Sequence, residues 1–240
     1  MQQRLKGNLI LFGLLPGIAV PLLVLLIAAT TSIDIIPTLM SDPTHTLDVS
    51  PLTGFVSSLG VFVWIAVTAI CTFSSRLLHA RGETESSRFL AIGAAITAYV
   101  AFDDYFRVHE FILPSIGVAE KYVYLTLGTG VVVYLYLYRA LVLLGPVINL
   151  ALALLLLGLS VVIDTIHERM PHWSDAWLAF GEDSCKWMGL IFWAGYFIEM
   201  AFILAGRVLK SQGAALISND EPELSHAGAP EFIQAESETA

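Results

Sequence analysis

An all-α, polytopic membrane bundle of about six transmembrane helices is predicted by three features of the sequence. Of 240 residues, 56% are hydrophobic and only 14% are charged, and the mean hydropathy is +0.74. Soluble domains carry about 25% charged residues. The apolar residues gather into six runs, each near the roughly 20 residues that a helix needs to cross a bilayer. The runs also lack the period-two alternation of a membrane β-barrel.

The first run covers 9–29 and follows Arg4 and Lys6, as a secretory signal core would. It is longer than the usual core of about 7–15 residues, and no small-x-small cleavage site follows, so an uncleaved span is expected. The second run covers 55–78 and the third 89–103, which closes on two aspartates. The fourth covers 122–144, after which Gly145-Pro146 marks a tight turn. The fifth covers 147–166 and the sixth 185–205. No inverted repeat of the transporter kind is visible. Residues 1–211 therefore read as the transmembrane helical domain, and 212–240 as an acidic tail whose composition predicts disorder.

The net charge of -9 is concentrated in that tail, through Asp220, Glu221, Glu223, Glu231, Glu236 and Glu238. No basic arm or patch exists, which argues against a nucleic-acid partner and leaves membrane lipids as the expected one. Cys71 and Cys185 form neither a CxxC pair nor a disulfide framework. Nothing in the sequence sets an oligomeric state.

Basic residues set the orientation. Arg4, Lys6, Arg76, Arg81, Arg88, Arg139, Arg207 and Lys210 fall on one side of a six-span layout, and Arg107, Lys121, Arg169 and Lys186 on the other. The richer side is the cytoplasm by the positive-inside rule, which puts both termini there. A bacterial inner membrane is the expected location.

Three polar clusters then fall at one depth on the outer side. The first is Asp103, Asp104, Arg107, His109 and Glu110. The second is Asp164, His167, Glu168 and Arg169, and the third Glu182, Asp183 and Lys186. On an ideal helix Asp103, Arg107 and Glu110 lie within about 60° of one another. His109 falls about 100° from Glu110, so sharing their target needs a helix end or distortion, for which Leu113-Pro114 gives a reason.

Imidazole among carboxylates suits Zn or Fe, so Asp104, His109, Asp164, His167 and Glu182 are candidate ligands of a divalent metal. Asp103, Glu110, Glu168 and Asp183 are candidate catalytic groups, orienting ligands or acting as general base. Asp164 and His167 make one acid-x-x-His pair of the di-iron kind; Phe106 stands where a second pair would need an acid. Lys186 could pair Glu182 one turn away. Glu199 lies inside the sixth run, where an ionisable group costs a few kcal/mol and marks function by default. For each cluster the ordinary alternative is a hydrated headgroup anchor.

These residues point to a metal-dependent membrane enzyme, a hydrolase or oxidoreductase acting on a lipid-like substrate. Acid-rich clusters with His, here Asp104, His109, Asp164 and His167, resemble in style the intramembrane metal hydrolases of the alkaline ceramidase superfamily. That group's full Ser, Asp and multiple-His pattern is not present, and the span count differs. The alternatives are an ion- or proton-coupled transporter with Glu199 as its proton site, and a non-catalytic membrane subunit.

Overall fold

The computed structural model describes residues 18, 21–40, 47–50, 52–167 and 175–219, and within them the side chains of 37, 38, 167, 175, 176, 179 and 209–219 are not described. Among the described residues every regular element is helical. The chain divides into two compact units, Met1–Phe55 and Val56–Ala240. In the first unit, α1 (Pro21–Thr30) and α2 (Ile35–Met40) are separated by a turn in which the Ser32 hydroxyl donates to the Asp34 carboxylate at 3.0 Å and accepts the Asp34 N–H at 3.2 Å. Most of the expected first span falls outside the described residues.

The second unit is built on α3 (Phe55–Ala80), α4 (Thr84–Phe106), α5 (Glu120–Leu137), α6 (Val147–His167) and α7 (Asp175–Asn219). Among the described residues, four segments are long and apolar enough to cross a membrane: α3, α4, Val147–Ile166 and Phe180–Val208. Their outward faces are apolar as well. Phe62, Phe73 and Phe202 are 66%, 71% and 79% exposed. Soluble monomers rarely expose large contiguous apolar patches, so these faces fit hydrocarbon, and the chain is a membrane protein.

The core gathers Trp64 of α3, Phe89 and Leu90 of α4, Tyr134 of α5, Ala153 of α6, and Trp193 and Phe197 of α7. Several of its buried polar groups are paired, although the Trp64 indole nitrogen has no hydrogen-bond partner among the described residues. The Trp193 indole donates to Thr97 Oγ1 at 3.1 Å, and Thr97 donates to the Gly93 carbonyl at 2.8 Å. Tyr134 donates to the Phe89 carbonyl at 3.0 Å. Two glycines let elements approach closely. A Cβ at Gly93 would collide with the Phe197 ring, and one at Gly189 would sit 2.9 Å from the Leu157 backbone nitrogen.

Three boundaries differ from the sequence expectation. The fourth run is not one helix: α5 stops at Leu137, the chain bends at Tyr138, and a short turn, Arg139–Val142, leads to Gly145-Pro146. The bend seats the Tyr138 ring 5.7 Å from Phe89 and 5.6 Å from Tyr134. Helix α7 begins ten residues before the expected sixth span, so Glu182 and Asp183 ride on the helix instead of preceding it. It also continues through Asn219, past the expected start of the tail at 212. Residues 220–240 lie outside the described part.

Candidate functional site

The site forms where α4 ends. Arg107 takes a left-handed conformation (φ 51°, ψ 47°), which costs a non-glycine residue about 1–3 kcal/mol. A π-helical turn, Val108–Ile112, follows at once, and Leu113-Pro114 opens the next short turn. This reversal aims the His109 backbone back at α4. The His109 N–H donates to Asp103 Oδ1 at 2.9 Å, and its Nδ1 lies 2.6 Å from Oδ2. One buried carboxylate thus holds both the backbone and the ring of one buried histidine.

With Nδ1 bound to Asp103, the other ring nitrogen is presented to the rest of the site. Nε2 lies 3.6 Å from Glu110 Oε1 and 3.7 Å from Glu120 Oε1. Burial pulls the imidazole pKa down, but the Asp103 hydrogen bond and the charges of Asp103, Glu110 and Glu120 outweigh it, and the pKa is raised. Arg107 Nη2 grips the far oxygen of Glu110 at 2.6 Å on the exposed side.

Asp104, the next residue around α4, points elsewhere. Its buried carboxylate is ion-paired with Lys186 of α7. Trp64, Asp183 and these two residues border a cavity of about 20 Å³. Tyr124 of α5 ties the two halves together. Its ring centroid is 5.0 Å from that of His109, and its hydroxyl donates to Asp164 Oδ2 of α6 at 3.2 Å. Glu182 lies within electrostatic range of Asp164, Asp183, Lys186 and Glu110. Polar groups of four helices and the π-turn therefore gather into a circuit of neighbouring pairs at one end of the bundle.

The structure brings Asp103, His109 and Glu110 together, pairs Asp104 with Lys186 and joins Asp164 to Tyr124, which are not the pairings expected. Lys186 pairs Asp104 across 82 residues instead of Glu182 one turn away. Asp103, Arg107 and Glu110 do not share an ideal helical face, because the left-handed residue breaks the periodicity between them. Among the described residues no group of three His, Cys, Asp or Glu side chains is arranged to hold a metal ion. Asp104 is engaged by Lys186 and Asp164 by Tyr124. His167 closes α6 with its side chain outside the described part, and Glu168 lies outside it altogether.

Glu199 lies inside the Phe180–Val208 segment of α7. It is exposed on the outward stripe of α7 beside Ile198 and Phe202, and its neighbour Tyr196 donates instead to the Val142 carbonyl at 3.4 Å. Two members of the circuit, Glu120 and Tyr124, were missed in the sequence. The signal was there in a carboxylate opening an apolar run with an aromatic hydroxyl one turn later, directly after the His109 segment.

This fold and site define a helical membrane protein with a buried His–carboxylate pair at one end of its bundle. A family model described as a domain of unknown function, DUF8692, matches residues 17–200, and the chain belongs to that family. No curated protein and no solved structure matches the chain.

Proposed function

We propose that the protein is a membrane-embedded hydrolase whose acid–base group is His109, positioned by Asp103, and whose substrate is a lipid-like molecule entering from the bilayer. The observation that carries this is the Asp103–His109 pair, with Nδ1 held at 2.6 Å and Nε2 turned toward Glu110 and Glu120. In the neutral ring Nε2 takes a proton from a water whose oxygen adds to the acyl or phosphoryl centre. The imidazolium then returns that proton to the leaving group, so one water is consumed and two products leave. Asp103 keeps the ring in the required tautomer and compensates the imidazolium.

The basic-residue asymmetry supports six spans with cytoplasmic termini in a bacterial inner membrane, which sets this site at the outer leaflet. A Zn or Fe form of the site, using Asp104, His109, Asp164, His167 and Glu182, is less favoured because Asp104 and Asp164 are already engaged. A proton-coupled carrier is less favoured because the described core below the circuit is apolar and aromatic, built from Trp64, Phe89, Trp193, Phe197 and Met200.

The test is lipid turnover in vesicles of phosphatidylethanolamine and phosphatidylglycerol, followed by mass spectrometry. The wild type should convert a lipid, and His109→Asn should slow it by about 10²-fold or more. An unchanged lipid composition with wild type, together with a His109-dependent collapse of an imposed pH gradient, would assign the carrier function instead.

A further inference from the structure

An apolar groove of about 640 Å³ runs between α4 and α5. Ile92, Ile96 and Tyr99 form the α4 wall, and their helical spacing continues to Asp103. Val123, Leu127 and Tyr134 form the α5 wall, and their spacing leads back to Glu120. These are the carboxylates on the two sides of His109, 2.6 Å from Nδ1 and 3.7 Å from Nε2. Both walls therefore end on one imidazole.

The dimensions suit a chain more than a compact solute. At about 1.5 Å per residue, the α4 wall runs roughly 17 Å from Ile92 to Asp103 and the α5 wall roughly 21 Å from Tyr134 to Glu120. Small-molecule sites occupy about 300–1,000 Å³. The groove is open at Gly130, where an added Cβ would meet nothing within 4 Å. At the polar end Asp103, Asp104, Glu110, Glu120, Asp164, Glu182 and Asp183 outnumber Arg107, Lys121 and Lys186. Such a field favours a cation and opposes an anion.

We infer that this groove binds a single-chain amphiphile with a positively charged amine headgroup, its chain between α4 and α5 and its head among the carboxylates beside His109. The inference rests on the acid–base centre proposed above and names the substrate class of that site.

Full-length protein in a nonionic detergent is titrated with radiolabelled hexadecylamine and with hexadecanoate. The amine should bind at least about tenfold more tightly, a difference of roughly 1.4 kcal/mol. Gly130→Phe, whose added Cβ would meet nothing within 4 Å and whose ring enters the groove, should weaken amine binding by about tenfold or more. Gly128→Phe, on the same helix with equal space but outside the groove, should leave it unchanged. Equal affinity for the two probes, no binding to the wild type, or no effect of Gly130→Phe overturns the inference. His109→Asn separates the two ideas: retained amine binding with lost turnover supports both. Amine binding by a wild type that hydrolyses neither these phospholipids nor a single-chain lipid with an amine headgroup upholds the groove and ends the hydrolase proposal alone.

Discussion

The two ends of the α3–α7 unit bury different chemistry. Where α3 turns into α4, the buried polar contact is between hydroxyls: Ser75 Oγ lies 3.1 Å from Ser87 Oγ and donates to the Ser87 carbonyl at 2.8 Å. Gly82, at φ 83°, makes the turn, and Arg76, Arg81, Glu83, Glu85 and Arg88 all stay exposed. Where α4 turns toward α5, and α6 toward α7, Asp103, Asp104 and His109 are buried or nearly so and are satisfied by one another and by Lys186. Hydroxyls are cheap to bury once paired, whereas charges are costly even when paired. A bundle that keeps charge out of one end and concentrates it at the other retains it there for something other than stability.

The sharpest way to break this contrast is to orphan a charge. Lys186→Met leaves Asp104 buried without its partner and should lower unfolding stability in detergent by about 3 kcal/mol. Adding Asp104→Asn to it should recover most of the loss. A Lys186→Met cost no larger than that of a serine-pair variant would erase the distinction between the ends.

Next in size is Asp103→Asn, which removes a charge-assisted bond to the imidazole and should cost about 2 kcal/mol. It also sharpens the contrast through pH. The folded pKa of His109 is raised, so its protonated form stabilises the fold fully below the unfolded value of about 6.5. That stability is lost as pH rises through the folded pKa. Histidine NMR titration should place the wild-type midpoint above 6.5, and Asp103→Asn should bring it down.

Ser75→Ala, at the other end, should cost about 1 kcal/mol, with the same value at pH 5 and pH 8. A pH-dependent loss there would show an ionisable group in the hydroxyl end. Smallest of all is Arg107→Gly, which relieves a left-handed residue but gives up an exposed ion pair worth at most about 1 kcal/mol. With the relief largely offset by the lost pair and by the entropy glycine adds to the unfolded chain, the denaturation midpoint should rise, by the equivalent of less than about 1 kcal/mol.

Composition and run length were enough to find α3, α4, α6 and the membrane part of α7, because a bilayer imposes a length that soluble packing does not. The same logic overshot at Tyr138, where the helix is interrupted and the ring packs against Phe89 and Tyr134, in a run that hydropathy alone reads as continuous. The polar residues at the ends of α4, α6 and α7 were legible in the sequence. Their pairings were not. The Asp103–His109 contact spans six residues, a separation that no helical face predicts, and it exists only through the left-handed Arg107. Glu199 does lie inside its span, but position along a span says nothing about which side of the helix faces out.

That six-residue bracket also has a consequence for the order of assembly. Asp103 and His109 are synthesised almost together, so the turn that joins them can close as soon as it leaves the ribosome. Asp104 meets Lys186 only 82 residues later. At about 5–20 residues per second, the carboxylate must wait roughly 4–16 s before its counter-charge has been made. During that interval α4 carries a charge that opposes full insertion, and the arrival of α7 is what lets it settle. The last long helix is therefore the one that completes the docking of the second.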